Sequence, residues 1–89
     1  MEIITTPEFE ALFSDLPKII KKKAIKQTKL FCGNPFYNSL NTEKIEPRNK
    51  QVWSFRVDKN YRIIFKFLEN KRVVFLAMGP HKWIYRLDF

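Results

Sequence analysis

Trp53-Ser54-Phe55-Arg56-Val57-Asp58-Lys59-Asn60-Tyr61-Arg62-Ile63-Ile64-Phe65-Lys66-Phe67 is the stretch on which the fold turns. Trp53, Phe55 and Val57 alternate with Ser54, Arg56 and Asp58, and Tyr61, Ile63, Phe65 and Phe67 alternate with Arg62, Ile64 and Lys66. Each half has the alternation of a strand with one apolar face. A hairpin must set same-face residues opposite one another, so its loop must hold an odd number of residues. With Asp58-Lys59-Asn60 as the loop and Asn60 taking the left-handed conformation, Val57 pairs with Tyr61, Phe55 with Ile63 and Trp53 with Phe65. Arg56 then lies opposite Arg62. Like charges across an antiparallel pair cost about 0.2–1 kcal/mol. The pairing therefore asks what anion the two arginines serve, with a solvated basic face as the plainer alternative.

Downstream, Leu68-Glu69-Asn70-Lys71-Arg72 turns the chain, and Val73, Phe75 and Ala77 carry the apolar face into another strand. An odd loop over Glu69-Asn70-Lys71 pairs Phe67 with Val73, Phe65 with Phe75 and Tyr61 with Gly79, and sets Met78 against Arg62. Gly79-Pro80 ends that strand at the edge holding Arg56 and Arg62. His81, the single histidine, follows at once.

Upstream, Glu2 to Thr5 is short and β-branched and reads as a first strand. Thr6-Pro7-Glu8 reads as an N-cap, a proline in the first helical turn and an acid near the positive end of the helix dipole. Phe9, Leu12, Phe13 and Leu16 follow at helical spacing, so residues 7 to 14 form a short helix docked on the sheet. A second helix begins near Pro17 and runs to about Cys32, where Gly33-Asn34-Pro35 stops it. Ile19, Ile20, Ala24, Gln27, Leu30 and Phe31 fall on one of its sides. Lys18, Lys22 and Lys29 fall opposite, with Lys21, Lys23 and Lys26 on the flanks; this surface suits either a phosphate backbone or plain solvation. From Phe36 to Gln51 the chain reads as a polar loop crossing the domain around Leu40 and Ile45. The expected fold is α+β, in the order βααβββ, with a small, mainly antiparallel sheet and both helices on one face, all within a single domain spanning residues 1–89.

Composition narrows the function. Nine Phe, three Tyr and two Trp let so short a chain build a core without staples. One cysteine rules out an internal disulfide, and one Cys with one His makes no ordinary structural zinc site, so no cofactor is called for and a cytosolic setting is expected. No apolar run approaches the roughly 20 residues needed to cross a bilayer, and no leader pattern opens the chain, so no membrane association is expected. A formal charge of +8 points to a polyanionic partner, nucleic acid foremost.

The register brings Arg56, Arg62 and His81 to one end of the meander. His81-Lys82-Trp83-Ile84-Tyr85-Arg86 adds basic residues interleaved with Trp83 and Tyr85, a composition suited to stacking unpaired bases and holding the phosphates between them. Two guanidiniums, an imidazole and a phenol make a candidate site for phosphodiester cleavage with the RNA 2′-hydroxyl as nucleophile. The plainer alternative keeps His81 as a surface residue and Tyr85 as a packing residue. Cys32 has no sequence-evident base and reads as a small apolar residue.

The segments Trp53-Ser54-Phe55-Arg56-Val57, Asn60-Tyr61-Arg62-Ile63-Ile64-Phe65, Gly79-Pro80-His81 and Ile84-Tyr85-Arg86, in this order, resemble the RelE/ParE superfamily of bacterial type II toxins over nearly the whole chain. The resemblance implies a toxin neutralised by a cognate antitoxin, an acidic one given the basic surface here. RelE-like members are ribosome-dependent endonucleases that cut mRNA without metal, by attack of the 2′-hydroxyl on the adjacent phosphate; ParE-like members instead poison gyrase, and a non-catalytic binding member is the third possibility. By resemblance Arg62 and Arg56 meet the phosphate, His81 takes a catalytic position and Tyr85 orients or stacks on the substrate. Lys44, Arg48, Lys82, Trp83 and Arg86 are the expected RNA contacts. The lysines that RelE carries before the arginine hairpin are not matched by Ser54 and Phe55, and the spacing to Tyr85 is shorter. His81 is thus the first choice for the general base, with Glu43, Lys44 and Glu46 as alternatives.

Overall fold

A computed structural model describes residues 1–45 and 50–84, the last two of these by their backbone alone. The chain runs β1 (Glu2–Thr5), α1 (Pro7–Ser14), α2 (Lys18–Gly33), a 3-10 turn (Asn38–Leu40), β2 (Glu43–Lys44), β3 (Trp53–Arg56), β4 (Tyr61–Phe67), β5 (Arg72–Pro80) and α3 (His81–Ile84). The strands form one mixed sheet in the order β1-β5-β4-β3-β2, with β1 parallel to β5 and the remaining pairs antiparallel. The architecture is the expected α+β one, with a fifth strand. β2 lies inside the segment read as a loop, and its two residues pair with Ser54 and Trp53.

The central hairpin has the register that parity demands. Trp53 pairs with Phe65, Phe55 with Ile63 and Arg56 with Arg62, and Val57 N donates to Tyr61 O at 2.9 Å. Its loop closes differently from the expectation. Asn60 is not left-handed; instead Asp58 Oδ1 accepts from the amides of Asn60 and Tyr61 at 2.8 and 2.9 Å, an Asx-type closure.

The second hairpin begins in the expected register, Phe67 with Val73 and Phe65 with Phe75, over a turn in which Asn70 and Lys71 are both left-handed. A bulge then intervenes: Ile64 pairs with Ala77, leaving Leu76 as the extra residue on β5. Every later pair shifts by one. Arg62 lies opposite Gly79 rather than Met78, and Tyr61 opposite Pro80 rather than Gly79. Met78, not Ala77, therefore joins Val73 and Phe75 in the core beneath the helices, and Ala77 packs with Ile45, Val52 and Ile64 in a smaller cluster on the other face.

The helices form for the reasons their sequences suggest. Thr6 caps α1, its hydroxyl accepting from Phe9 N at 3.1 Å, and the same hydroxyl donates to the carbonyls of Phe75 and Leu76 at the end of the β1 ladder. α2 buries Ile20, Ala24, Gln27 and Phe31. Ile19, expected on that face, is 62% exposed. Phe31 stands at the centre of the core, its ring centroid 4.7 Å from Phe55, 4.9 Å from Phe65 and 5.9 Å from Phe75. Gln27 ties α2 to the sheet end, its amide donating to Arg56 O at 2.9 Å and Ser39 O at 3.3 Å. Among the described residues no helix is long and apolar enough to cross a membrane.

Candidate functional site

The β3–β4 ladder sets Arg56 across from Arg62, and β4–β5 sets Arg62 across from Gly79, two residues before His81. His81 opens α3, and its amide donates to Asn60 O at 2.6 Å, fastening the end of β5 to the β3–β4 loop. The three residues thus reach one end of the sheet from three different segments, as the register argument requires.

They do not share one wall. Strand alternation sends Arg62 and Arg56 to the face away from the helices, with Ser54 and Ile64, whereas Tyr61, Ile63 and Phe65 face the helices. Arg62 is 5% exposed. Its guanidinium is held by the hydroxyl of Ser54, accepting from Nε at 2.9 Å, and by the carbonyls of Asn41 and Ser54, accepting from Nη2 at 2.6 and 3.3 Å. Glu43 adds a carboxylate 3.8 Å from Nη2, about half-exposed. The Asn41 carbonyl is aimed by a left-handed backbone, φ 44°, at the end of the 3-10 turn. In the amide orientation that satisfies both of its ends, the Asn41 side chain donates to Asn38 O at 3.3 Å and accepts from Arg56 Nη1 at 3.2 Å.

The apparently unfavourable arginine pair is therefore relieved within the protein. One guanidinium is buried among oxygen acceptors, and the other is exposed beside an amide oxygen. Ser54 and Asn41 were not singled out from the sequence. The available signal was Ile64, an apolar residue on the supposedly polar face of β4, which shows that this face is covered and that its neighbour Arg62 needs acceptors.

His81 and Lys82 instead open onto a cleft of about 440 Å³ lined by Lys59, Asn60, Tyr61 and Pro80 as well. Both are exposed. Lys44 is separated from Glu43 by the strand's alternation. It pairs with Trp53, and its Nζ lies 5.7 Å from the indole centroid, on the helix side of the sheet. Arg48, Glu46, Tyr85 and Arg86 lie outside the described residues, as does the side chain of Trp83. Cys32 is exposed. Among the described residues no group of three or more His, Cys, Asp or Glu side chains is arranged to hold a metal ion.

Comparison with known proteins places this architecture. A protein of Haemophilus influenzae, described as uncharacterized, is 29% identical over 76 residues, covering 79% of this chain and 74% of the relative. The fold is shared with the YoeB/ParE toxin from Agrobacterium tumefaciens, at a TM-score of 0.75, 14% identity, and coverage of 91% of this chain and 99% of that one. YafQ from E. coli superposes at a TM-score of 0.75, with 18% identity and coverage of 94% and 97%. The toxin–antitoxin complex of RelE and RelB from Pyrococcus horikoshii gives 0.72, with 16% identity and coverage of 89% and 92%. The family model described as the RelE-like toxin of the type II toxin–antitoxin system HigB matches residues 3–81, which take in β1, both long helices, the arginine hairpin and the start of α3, and the chain belongs to that family of HigB-like, RelE-like toxins.

Proposed function

We propose that the chain is a toxin that cuts mRNA on the ribosome and is held in check by an acidic antitoxin. The observation that carries this reading is the convergence at one sheet end of an exposed arginine, Arg56, backed across the ladder by Arg62, with a cleft presenting His81, Lys59 and Lys82. Polyanion binding suits both features and the charge of +8.

In the proposed reaction the 2′-oxygen of one nucleotide bonds to the adjacent phosphorus as its bond to the 5′-oxygen breaks. The products are a 2′,3′-cyclic phosphate and a 5′-hydroxyl. A base takes the 2′-hydroxyl proton and an acid supplies one to the departing 5′-oxygen. His81, exposed in the cleft, is our choice for the proton taken from the 2′-hydroxyl. Arg56 meets the phosphate oxygens as negative charge grows on them. Arg62 supplies a fixed charge behind it, and its hydrogen bonds to Ser54 and Asn41 hold the end of the hairpin in shape. Tyr85 keeps the stacking or orienting role that resemblance gives it; Lys82, Trp83 and Arg86 with Lys44 and Arg48 keep that of gripping flanking nucleotides. Glu43, an alternative for the base, is paired with Arg62 and is not among the residues that line the His81 cleft.

The antitoxin follows from the family, and the fold is shared with toxins solved with antitoxins bound, RelE with RelB and YafQ with DinJ. The test is to incubate the protein with programmed ribosomes and map mRNA ends by primer extension. New ends within ribosome-bound codons are expected. Intact mRNA beside an active control toxin would reject the reading, and gyrase-cleaved plasmid with intact mRNA would transfer it to a gyrase poison.

A further inference from the structure

Three aromatic rings stand together at the end of β3 and β4 opposite the arginine pair. Trp53 opens β3 and Phe67 closes β4, both toward the helices, and Phe36 reaches them from the segment after α2. The ring centroids of Trp53 and Phe67 lie 5.5 Å apart, those of Phe36 and Trp53 5.7 Å, and those of Phe36 and Phe67 6.2 Å. The two phenyl rings are within 26° of parallel, and the indole stands at 79° and 76° to them. Phe36 is 56% exposed and Phe67 39%.

The loop holds Phe36 in place. Asn34 ends α2, its amide donating to Leu30 O at 2.9 Å, and its side-chain oxygen accepts from Phe36 N at 3.0 Å. The Thr42 hydroxyl donates to Pro35 O at 2.5 Å, and Pro35 restricts the backbone just before the ring. An apolar ring is thus presented to water with its position set before any ligand arrives.

Size and charge identify what fits. At about 150–250 Å² for a whole aromatic side chain, the exposed parts of the three rings come to roughly 200–300 Å². One partner in a stable protein interface gives about 800 Å². Lys44 Nζ lies 5.7 Å from the indole centroid, while its neighbour Glu43 is turned to the other face, toward Arg62. A second copy of this chain would bring another +8 to the surface. Fixed aromatic rings beside a cation are what unpaired bases and the phosphate between them require.

The strand that meets Arg56 can reach this patch. Trp53 and Arg56 are three residues apart on β3, about 10 Å, and on opposite faces. β2 pairs with Trp53 and Ser54 and stops short of Arg56, so among the described residues no further strand flanks β3 there. A single strand of about six nucleotides, within the range one small domain engages, can round this edge.

We propose that Phe36, Trp53 and Phe67 are a stacking platform for unpaired bases of the same RNA strand whose phosphate meets Arg56, with Lys44 on a phosphate between them. The choice of the message strand rests on the proposed function; the stacking is read by binding alone.

The probe is a 2′-O-methyl adenosine oligonucleotide of about six residues, which cannot be cut by its own 2′-oxygen. It is titrated into the whole chain carrying fluorotryptophan, and fluorine NMR reads Trp53 and Trp83 separately, with Trp83→Phe used for assignment. A saturable shift of the Trp53 resonance is expected. An abasic oligomer of equal charge should bind about ten-fold more weakly or worse and leave Trp53 unmoved. Phe36→Ala and Phe36→Leu should each weaken binding about five-fold or more, and Phe36→Trp should not. Arg56→Ala should weaken the same ligand, and a dinucleotide should bind too weakly to shift Trp53 at the same concentration. An unmoved Trp53 or equal affinity for the abasic oligomer, which leaves the protein untouched, would overturn the proposal. Full binding by Phe36→Leu would also overturn it, in favour of a plain apolar contact. An equal shift by the dinucleotide, or indifference to Arg56→Ala, would overturn the single-strand path. A Trp53 shift that follows protein concentration without RNA would overturn it in favour of a second copy. A chain that stacks the oligomer but leaves ribosome-bound mRNA intact would fail the proposed function alone; one that cuts mRNA with Trp53 unmoved would fail this proposal alone.

Discussion

Replacing Arg62 with alanine tests the network that the structure builds under the arginine pair. The guanidinium makes hydrogen bonds of 2.6, 2.9 and 3.3 Å to Asn41 O, Ser54 Oγ and Ser54 O. Ser54 is fully buried, so its hydroxyl loses its partner where water cannot easily replace it, whereas Asn41 is exposed and regains water. The ion pair with half-exposed Glu43 adds little. Leaving one or two buried groups without partners costs about 1–3 kcal/mol each, so with partial rehydration Arg62→Ala should lose about 3 kcal/mol. For a domain of this size that lowers the melting temperature by roughly 12–24 °C. Arg62→Lys keeps the charge but not the planar fork, and should fall between the two. Urea unfolding followed by circular dichroism measures both. A loss below about 1 kcal/mol for the alanine variant would refute the idea that these bonds hold the hairpin end. One consequence is practical: lost toxicity in Arg62→Ala is informative about chemistry only at a temperature where the variant is shown to be folded.

Other substitutions separate core, cap and site. Phe31→Ala empties the centre of the aromatic core, where Phe31 is fully buried, and should cost about 3–5 kcal/mol in the same urea assay. Thr6→Ala removes the α1 cap and the link to the β5 carbonyls; a loss of about 1–2 kcal/mol is expected. Gln27→Leu strands the carbonyls of Arg56 and Ser39 beneath α2 and should cost about 1–3 kcal/mol, with faster amide exchange at the start of the β3–β4 loop. His81→Ala, at an exposed position, should change stability by less than about 0.5 kcal/mol yet slow mRNA cleavage about 10²–10⁴-fold in single-turnover assays on ribosomes.

The parts of the fold that were legible in sequence are those that alternation or capping determines. The Arg56–Arg62 register followed from parity together with the three-residue loop Asp58-Lys59-Asn60, because slipping by one residue would have exposed Phe55, Ile63 and Phe65. Thr6 and Pro7 marked the start of α1 for reasons confined to one turn. The bulge at Leu76 was hidden because Val73, Phe75 and Ala77 alternate as cleanly as a straight strand would, and Met78 is as apolar as the residue it displaces. β2 was hidden too: two residues carry no periodicity, and their partners on β3, Ser54 and Trp53, are fixed only once the chain has folded. The burial of Arg62 could not be read locally, since its acceptors come from Ser54 and from Asn41 in a distant turn. Of the candidate site, the shared sheet end of Arg56, Arg62 and His81 was legible; their division between a covered face and an open cleft was not, because it depends on Ile45 and Val52 packing against Ile64.

The central claim is cleavage of mRNA by its own 2′-hydroxyl at a site served by Arg56 and His81. It is tested most directly with two synthetic mRNAs on programmed ribosomes, identical except for one 2′-deoxynucleotide on the 5′ side of the mapped cut. The all-ribose message should be cut there, leaving a 2′,3′-cyclic phosphate, and the deoxy message should stay intact at that bond while remaining open to cutting elsewhere. Equal cutting of both messages at that bond would contradict the account.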